Sequence, residues 1–253
     1  NFVNLDVQGV ATAEATTKSF YIGGVVGYNK SLVKSCVNSG SVSVGTITTT
    51  GDLMLGGVIG NSNYAEDSTN SGTITLNGTH PGRVLMGGVF GYSMATADTK
   101  CSGCSNSGAI TINSAVGIAN PAVVKVRSAA VANRSDGDVN NRSNIGGVIG
   151  KIYGKSLEGT FSNLRNTGAI SLPQADSLNC TAIGGVLGEA TIKNITLSNS
   201  HNEGNISISN TNAEAALVCI GGVLGRNFNI SVTSMTINID GCSNKGDITL
   251  TEN

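Results

Sequence analysis

Two short phrases of apolar and small residues recur six times along the chain in a fixed order. The first is apolar-Gly-Gly-Val-apolar-Gly, and it begins at Ile22, Leu55, Met86, Ile145, Ile183 and Ile220. The second is Asn-x-Gly-x-(Val/Ile)-x-aliphatic, and it begins at Asn38, Asn70, Asn106, Asn166, Asn202 and Asn244. Apolar and small polar residues alternate in the second phrase with a period of two, which is typical of a β-strand.

The spacing of the phrases predicts how the units assemble. Successive first phrases begin 33, 31, 59, 38 and 37 residues apart. A unit of this size buries its apolar face only against its neighbours, so the repeat predicts a stacked solenoid. We therefore expect an all-β fold, a parallel β-helix of about six to seven coils. A right-handed helix is expected because parallel crossovers nearly always have that hand.

Residues 1–253 are expected to form a single β-solenoid segment. Residues 1–21 are interpreted as the tail of a preceding coil, with residues 7–10 aligned to the second phrase. Residues 114–144 interrupt the spacing and are interpreted as an insertion or a degenerate coil. Since the chain starts with Asn rather than Met and neither end has a polar cap, we expect it to be part of a longer chain.

The alternation in the second phrase assigns its side chains to two faces. Two aliphatic columns are predicted to point into the core. The first column is Val42, Ile74, Ile110, Ile170, Ile206 and Ile248, and the second is Val44, Leu76, Ile112, Leu172, Ile208 and Leu250. The residues between them are expected to form an outward hydroxyl ladder: Ser43, Thr75, Thr111, Ser171, Ser207 and Thr249.

An asparagine opens every copy of the second phrase. The residue after the asparagine varies among Ser, Thr, Glu and Lys. A need for solubility alone therefore does not explain why the first residue of the phrase is always Asn. We predict that the side-chain amides stack in register and hydrogen-bond from coil to coil. The predicted ladder is Asn38, Asn70, Asn106, Asn166, Asn202 and Asn244.

Composition and charge exclude some classes of binding partner. A hydrophobic content of 39% with 12% charged residues argues against a disordered chain. A net charge of −1 provides no electrostatic surface for nucleic acid, so no nucleic-acid partner is expected. No window is apolar enough for a membrane helix, and direct membrane insertion is not expected either. The expected partners are other segments of the same long chain and a surface glycan or protein.

Little in the sequence indicates catalysis. His80 and His201 lie in different coils, and both are expected to be exposed in loops. The aspartates occupy different registers, so they do not form the pair of carboxylates that polysaccharide-cleaving enzymes need. We therefore predict a protein that is not an enzyme, with no catalytic residue, no metal site and no cofactor.

The six cysteines are predicted to be mainly structural. Cys36, Cys104 and Cys242 share one register, and the coil spacing places them too far apart for disulfides, so they are interpreted as buried thiols. Cys101 and Cys104 form a lone Cys-x-x-Cys without the further ligands that zinc requires. A local disulfide between these two, and one between Cys180 and Cys219, are left open.

Two groups of residues are candidates for binding. Tyr28 and Tyr92 each follow a first phrase and are expected on one edge, with Tyr153 close to that register, as packing residues or as a sugar platform. The segment 114–144 carries four basic residues, and loops on rigid scaffolds often hold function. These four are Lys125, Arg127, Arg134 and Arg142.

The paired phrases resemble the GLUG-motif repeats of large microbial surface and secreted proteins. Ser-Cys-Val-Asn-Ser-Gly at residues 35–40 and Ile-Gly-Gly-Val-Val-Gly at residues 22–27 carry the resemblance, which covers nearly the whole chain. It departs from the family pattern at residues 114–144 and in cysteine use. The resemblance implies an extracellular or cell-surface β-solenoid of the kind found in adhesins, and it brings no catalytic residues.

Three functions remain as hypotheses from the sequence. The first is a non-catalytic structural or adhesive module of a secreted or cell-surface protein. The second is a carbohydrate- or protein-binding surface module that acts through the 114–144 bulge. The third is a polysaccharide-acting β-helix enzyme, which would require carboxylates that converge on one face.

Overall fold

The fold is all-β, and every strand pair in the described part of the chain is parallel. The computed structural model describes residues 4–7, 18–47, 51–78, 80, 82–94, 98–113, 143–175, 181–210, 218–228 and 234–252. Its strands stack in sheets of seven, six, six and ten strands. The predicted parallel β-helix is confirmed.

Each coil passes through four strand columns in turn. The strands of the glycine column each end at the first glycine of the first phrase. They are β2 (Phe20–Gly23), β7 (Leu53–Gly56), β12 (Val84–Gly87), β17 (Asn144–Gly146), β21 (Thr181–Gly184) and β25 (Val218–Gly221). The asparagine column consists of β5 (Val37–Asn38), β10 (Thr69–Asn70), β15 (Ser105–Asn106), β19 (Arg165–Asn166), β23 (His201–Asn202) and β28 (Ser243–Asn244).

The other two columns are the aliphatic column and the long wall. The aliphatic column consists of β1 (Leu5–Val7), β6 (Val42–Val44), β11 (Ile74–Leu76), β16 (Ile110–Ile112), β20 (Ile170–Ala175), β24 (Ile206–Asn210) and β29 (Ile248–Glu252). The long wall consists of β3 (Val26–Tyr28), β4 (Leu32–Lys34), β8 (Ile59–Asn61), β9 (Tyr64–Glu66), β13 (Phe90–Met94), β14 (Thr99–Ser102), β18 (Ile149–Ser162), β22 (Leu187–Ser198), β26 (Leu224–Asn227) and β27 (Thr236–Asp240).

The inward and outward faces of the aliphatic column follow the period-two pattern. In the five strands from β6 to β24 its inward side chains are buried, and the hydroxyl residues between them are partly or fully exposed. Ile248 and Leu250 keep the same register in the last strand but are about half exposed, at 44% and 53%. They are exposed because β29 has a paired neighbour on one side only within the described strands.

The interior is divided into two apolar clusters. The first lies between the aliphatic and glycine columns, and the second is enclosed by the long wall. The chain turns at the Gly-Gly pair between the glycine column and the long wall, and this turn packs against the asparagine on the opposite side of the coil. The contact between turn and asparagine therefore separates the two clusters.

A column of left-handed backbone precedes the asparagine column. One residue in each coil has a positive φ, between 46° and 64°. These residues are Ser35, Asp67, Gly103, Asn163, Asn199 and Gly241. Gly, Asn and Asp tolerate this conformation better than other residues, which explains why the position is restricted to small polar residues and Gly.

One detail of the predicted register is corrected. Leu5–Val7 pairs with Val42–Val44, so Val7 aligns with the second inward position and not with the ladder asparagine as expected. Residues 114–142 lie outside the described residues, but the strands on either side of them pair directly, as β12 does with β17 and β16 with β20. The third and fourth rungs are therefore direct neighbours in the glycine and aliphatic columns.

Candidate functional site

The six ladder asparagines stack in register and are linked by their side chains. In the first five coils Nδ2 donates to the Oδ1 of the asparagine in the next coil, over distances of 2.7–2.9 Å. The same Nδ2 also donates to the carbonyl oxygen two residues later in its own coil, at 2.7–2.9 Å. Both amide hydrogens are therefore used in the first five coils, where the side chains are about 99% buried or more.

The glycine turn explains why the two phrases occur together. A Cβ on the second glycine of each pair would overlap the side chain of the ladder asparagine in its own coil. In five of the six coils it would also overlap the carbonyl oxygen of the equivalent glycine in the next coil. The asparagine reaches its buried position only because glycine leaves space for it, so each phrase requires the other.

A group of titratable residues lies on the outer side of the walls, facing away from the two interior clusters. We define the outer polar cluster as Asp52, Arg83, Tyr92, Lys151 and Glu189. Tyr92, Lys151 and Glu189 occupy one register on successive coils of the long wall. Asp52 and Arg83 directly precede the glycine-column strands β7 and β12.

The outer polar cluster contains a deeply buried ion pair. Lys151 Nζ lies 2.9 Å from Glu189 Oε1, and the two side chains are 1% and 0% exposed. Thr191 Oγ1 donates to the same carboxylate oxygen at 3.0 Å and fixes its position. Burial lowers the pKa of Lys151 below its ordinary value, although the charge and hydrogen bond of Glu189 oppose this.

A second ion pair lies beside the first. Arg83 Nε donates to Asp52 Oδ1 at 2.7 Å, and a guanidinium Nη2 contacts Asp52 Oδ2. Burial alone would lower the pKa of Arg83, but the hydrogen bonds and charge of Asp52 outweigh it and raise the pKa. Burial likewise raises the pKa of Tyr92 well above its ordinary value, so the phenol stays neutral. Each carboxylate of the cluster is thus already paired with a cation.

Comparisons with protein-family models, with curated proteins and with solved structures find no match to this chain. Its site must therefore be interpreted from its own geometry. Searches of the described ranges find no helix with the length and hydropathy of a membrane span and no group of three or more His, Cys, Asp and Glu that could hold a metal ion.

The predicted binding tyrosines share one column but differ in exposure. Tyr28 is 51% exposed and Tyr92 is buried, with Asn61 between them in the register. Tyr92 packs with Met54, Leu85 and Tyr153 in a small apolar cluster. Tyr92 is therefore a packing residue, and Tyr28 is the only one of the two that a large ligand can reach.

Tyr28 has an aromatic partner that the sequence analysis did not single out. The Tyr21 ring lies edge-on to it with centroids 5.1 Å apart, and both rings are exposed. The two residues are seven positions apart, on β2 and β3. The other predicted binding residues, Lys125, Arg127, Arg134 and Arg142, lie outside the described residues.

Cysteines and serines that occupy the same turn position in different coils make the same kind of hydrogen bond. Cys36 Sγ and Cys242 Sγ each contact the carbonyl oxygen two residues earlier, as Ser68 Oγ and Ser200 Oγ do in their coils. This shared bond explains the exchange of Cys and Ser at one position. Cys101 and Cys104 are buried thiols in the second apolar cluster, and burial raises the pKa of Cys101. Cys180 lies outside the described residues.

The expectation of exposed histidines is wrong for His80. Its side chain is completely buried, whereas His201 is partly exposed on β23 with Nδ1 2.9 Å from Ser243 Oγ. Burial lowers the pKa of His80, although the nearby carbonyl oxygens of Ile47 and Gly51 oppose it. His80 lies outside both repeated phrases, so the repeat pattern could not predict its burial.

The buried His80 predicts a loss of stability in acid. Its folded pKa lies below the unfolded value of about 6.5, so the unfolded chain binds more protons between the two. Stability from this group is complete above pH ~6.5 and is lost as the pH falls through the folded pKa. We expect His80→Gln to flatten the dependence of the urea midpoint on pH between about 7 and 5. His201→Gln is the matched control, and an equal flattening in both variants would contradict the assignment.

Proposed function

We propose that this chain is a non-catalytic structural or adhesive module, a stiff β-solenoid spacer of a secreted or cell-surface protein. The observation that carries the proposal is the uninterrupted asparagine ladder, which links all six coils and is buried in the first five. A column of this kind resists bending because each of the first five amides has partners in its own coil and in the next one. The resemblance to GLUG-motif repeats supports the extracellular location.

The electrostatics of the outer polar cluster also favour a structural role over an enzymatic one. General acid–base catalysis needs a carboxyl group that is free to exchange a proton with a substrate. Asp52 and Glu189 are held in ion pairs instead, one of them completely buried. Neither carboxylate is therefore free to act on a polysaccharide, and Glu189, which is completely buried, can exchange a proton only with groups of this chain.

The proposal predicts a single fixed distance along the stack. Ser39 and Lys245 follow the first and last ladder asparagines and are exposed. Five rungs at ~4.8 Å give about 24 Å between them. Spin labels on Ser39→Cys and Lys245→Cys, in a background with Cys36, Cys180, Cys219 and Cys242 each replaced by Ser, should give one narrow distance near this value. A broad distribution would exclude a stiff spacer.

The same purified chain should release no product from a panel of polysaccharides. Hydrolysis or lyase activity that is retained through purification would replace the structural proposal with the enzymatic one. The wild-type chain is the sample for this assay, and the heat-denatured chain is its control. The spin-label distance and the polysaccharide assay test separate parts of the proposal, since a stiff chain could still be an enzyme and a flexible chain could still be inactive.

A second candidate is a carbohydrate- or protein-binding module. The exposed Tyr21–Tyr28 pair is the specific observation in its favour, since aromatic faces provide both apolar contact and a polar hydroxyl. Glycan-array binding would be compared between wild type, Tyr21→Ala/Tyr28→Ala and a deletion of 114–142. Binding lost only on deletion would assign it to the bulge, and binding lost only in the tyrosine variant would assign it to the aromatic pair.

A further inference from the structure

Lys151 and Glu189 of the outer polar cluster have a further buried polar residue, Asn144, in the adjoining glycine column. Residues seven positions apart face each other across the glycine column and the long wall in successive coils. Tyr21 contacts Tyr28 in this way, Asn61 Nδ2 lies 3.7 Å from Met54 Sδ, and Leu85 packs with Tyr92. In the fourth coil the corresponding pair is Asn144 and Lys151.

Strand register supports the placement of this fourth pair. Asn144 is the neighbour of Leu85 in the glycine column, and Lys151 is the neighbour of Tyr92 in the long wall. Since Leu85 and Tyr92 pack together one rung below, the same register places Asn144 opposite Lys151. Both residues are 0% exposed.

We propose that Lys151 and Asn144 form an intramolecular isopeptide bond, with Glu189 as the general acid and base. Lys151 Nζ, as the neutral amine, attacks Cγ of the Asn144 amide. Glu189, whose Oε1 lies 2.9 Å from Nζ, takes the proton from the attacking nitrogen. It then gives a proton to the departing amide nitrogen, which leaves as ammonia. One C–N bond forms and one breaks, no oxidant or reductant is needed, and the carboxylate is regenerated.

The surroundings favour each requirement of this reaction. A lysine must lose its proton to act as a nucleophile, and burial lowers the pKa of Lys151. The carboxylate must be held in place, and Thr191 does this through its hydrogen bond to Oε1. Exclusion of water protects the Asn144 amide from hydrolysis while the amine is held near it.

Intact-mass spectrometry of the purified, folded full chain tests the proposal. We expect the mass to be lower than that of the sequence by one ammonia, and digestion to yield one branched peptide that contains both Asn144 and Lys151. Lys151→Met and Glu189→Gln should each restore the full mass. Glu66→Gln is the matched control, because Glu66 pairs with Lys34 at 3.0 Å on the surface, and it should leave the ammonia loss unchanged.

Two results would overturn the proposal. The first is a folded wild-type chain with the full mass of its sequence. The second is an ammonia loss that persists in Lys151→Met, because it would then come from cyclisation of an asparagine elsewhere. The branched peptide is sought in the wild-type chain itself, so the test remains decisive even where a variant does not fold.

Discussion

Gly88→Ala is expected to destabilise the protein by about 3 kcal/mol or more, which is at the upper end for an overpacked interior. The added methyl group would overlap the Asn106 side chain and the carbonyl oxygen of Gly147 in the next coil. One of these obstacles is backbone, so relief requires the rungs to separate. The free energy of unfolding, obtained from urea titration, measures the effect, and hydrogen exchange shows whether protection is lost in the adjacent rungs.

Gly27→Ala is the matched control for this prediction. Gly27 is the last glycine of its phrase, and the nearest atom to an added Cβ is the Tyr21 carbonyl oxygen at 3.0 Å. A shift of a few tenths of an ångström relieves this contact, so we expect a loss of about 1 kcal/mol or less. Equal losses in the two variants would show that the methyl group acts on chain flexibility and not on the contact with the ladder.

Asn106→Ala is the second change with a large expected effect, a loss of about 3 kcal/mol. It removes the acceptor for Asn70 and the donor for Asn166 and for the Gly108 carbonyl oxygen. Each buried polar group left without its partner costs about 1–3 kcal/mol. The loss is measured by urea unfolding, and local opening at the third and fourth rungs is measured by hydrogen exchange.

Asn113→Ala provides the control for the ladder. Asn113 Nδ2 donates to Asn77 Oδ1 in the preceding coil at 2.8 Å, which is the same kind of bond between coils, but in an exposed place. Water replaces the lost partner there, so we expect a change within about 0.5 kcal/mol. A cost for Asn106→Ala as small as that for Asn113→Ala would mean that the ladder does not hold the coils together.

The repeated phrases made the strands and the ladder predictable. Both depend on local patterns. The alternation of apolar and polar residues predicts the inward and outward faces of a strand, and the recurrence of Asn at one position predicts the asparagine ladder. The left-handed turn residues could have been found in the same way, because that position contains only Ser, Asp, Gly and Asn.

Contacts across a coil could not be predicted in this way. Gly88 and Asn106 are 18 positions apart, and nothing in either phrase shows that the turn and the amide touch. The burial of Lys151 and Glu189 was equally hidden, since a charged residue at an outward position of a strand is usually solvated. Their environment depends on how neighbouring walls pack, and the repeat pattern does not encode this.

The direction of the ladder bonds makes the stack electrically polar. Every Nδ2 points toward the following coil and every Oδ1 toward the preceding one. A single reversed amide would place its oxygen against the backbone carbonyl oxygen that Nδ2 now contacts. All the side-chain amides of the ladder therefore have the same orientation. The amide dipoles therefore add along the axis, with the positive end at Asn244 and the negative end at Asn38, much as peptide dipoles add along a helix.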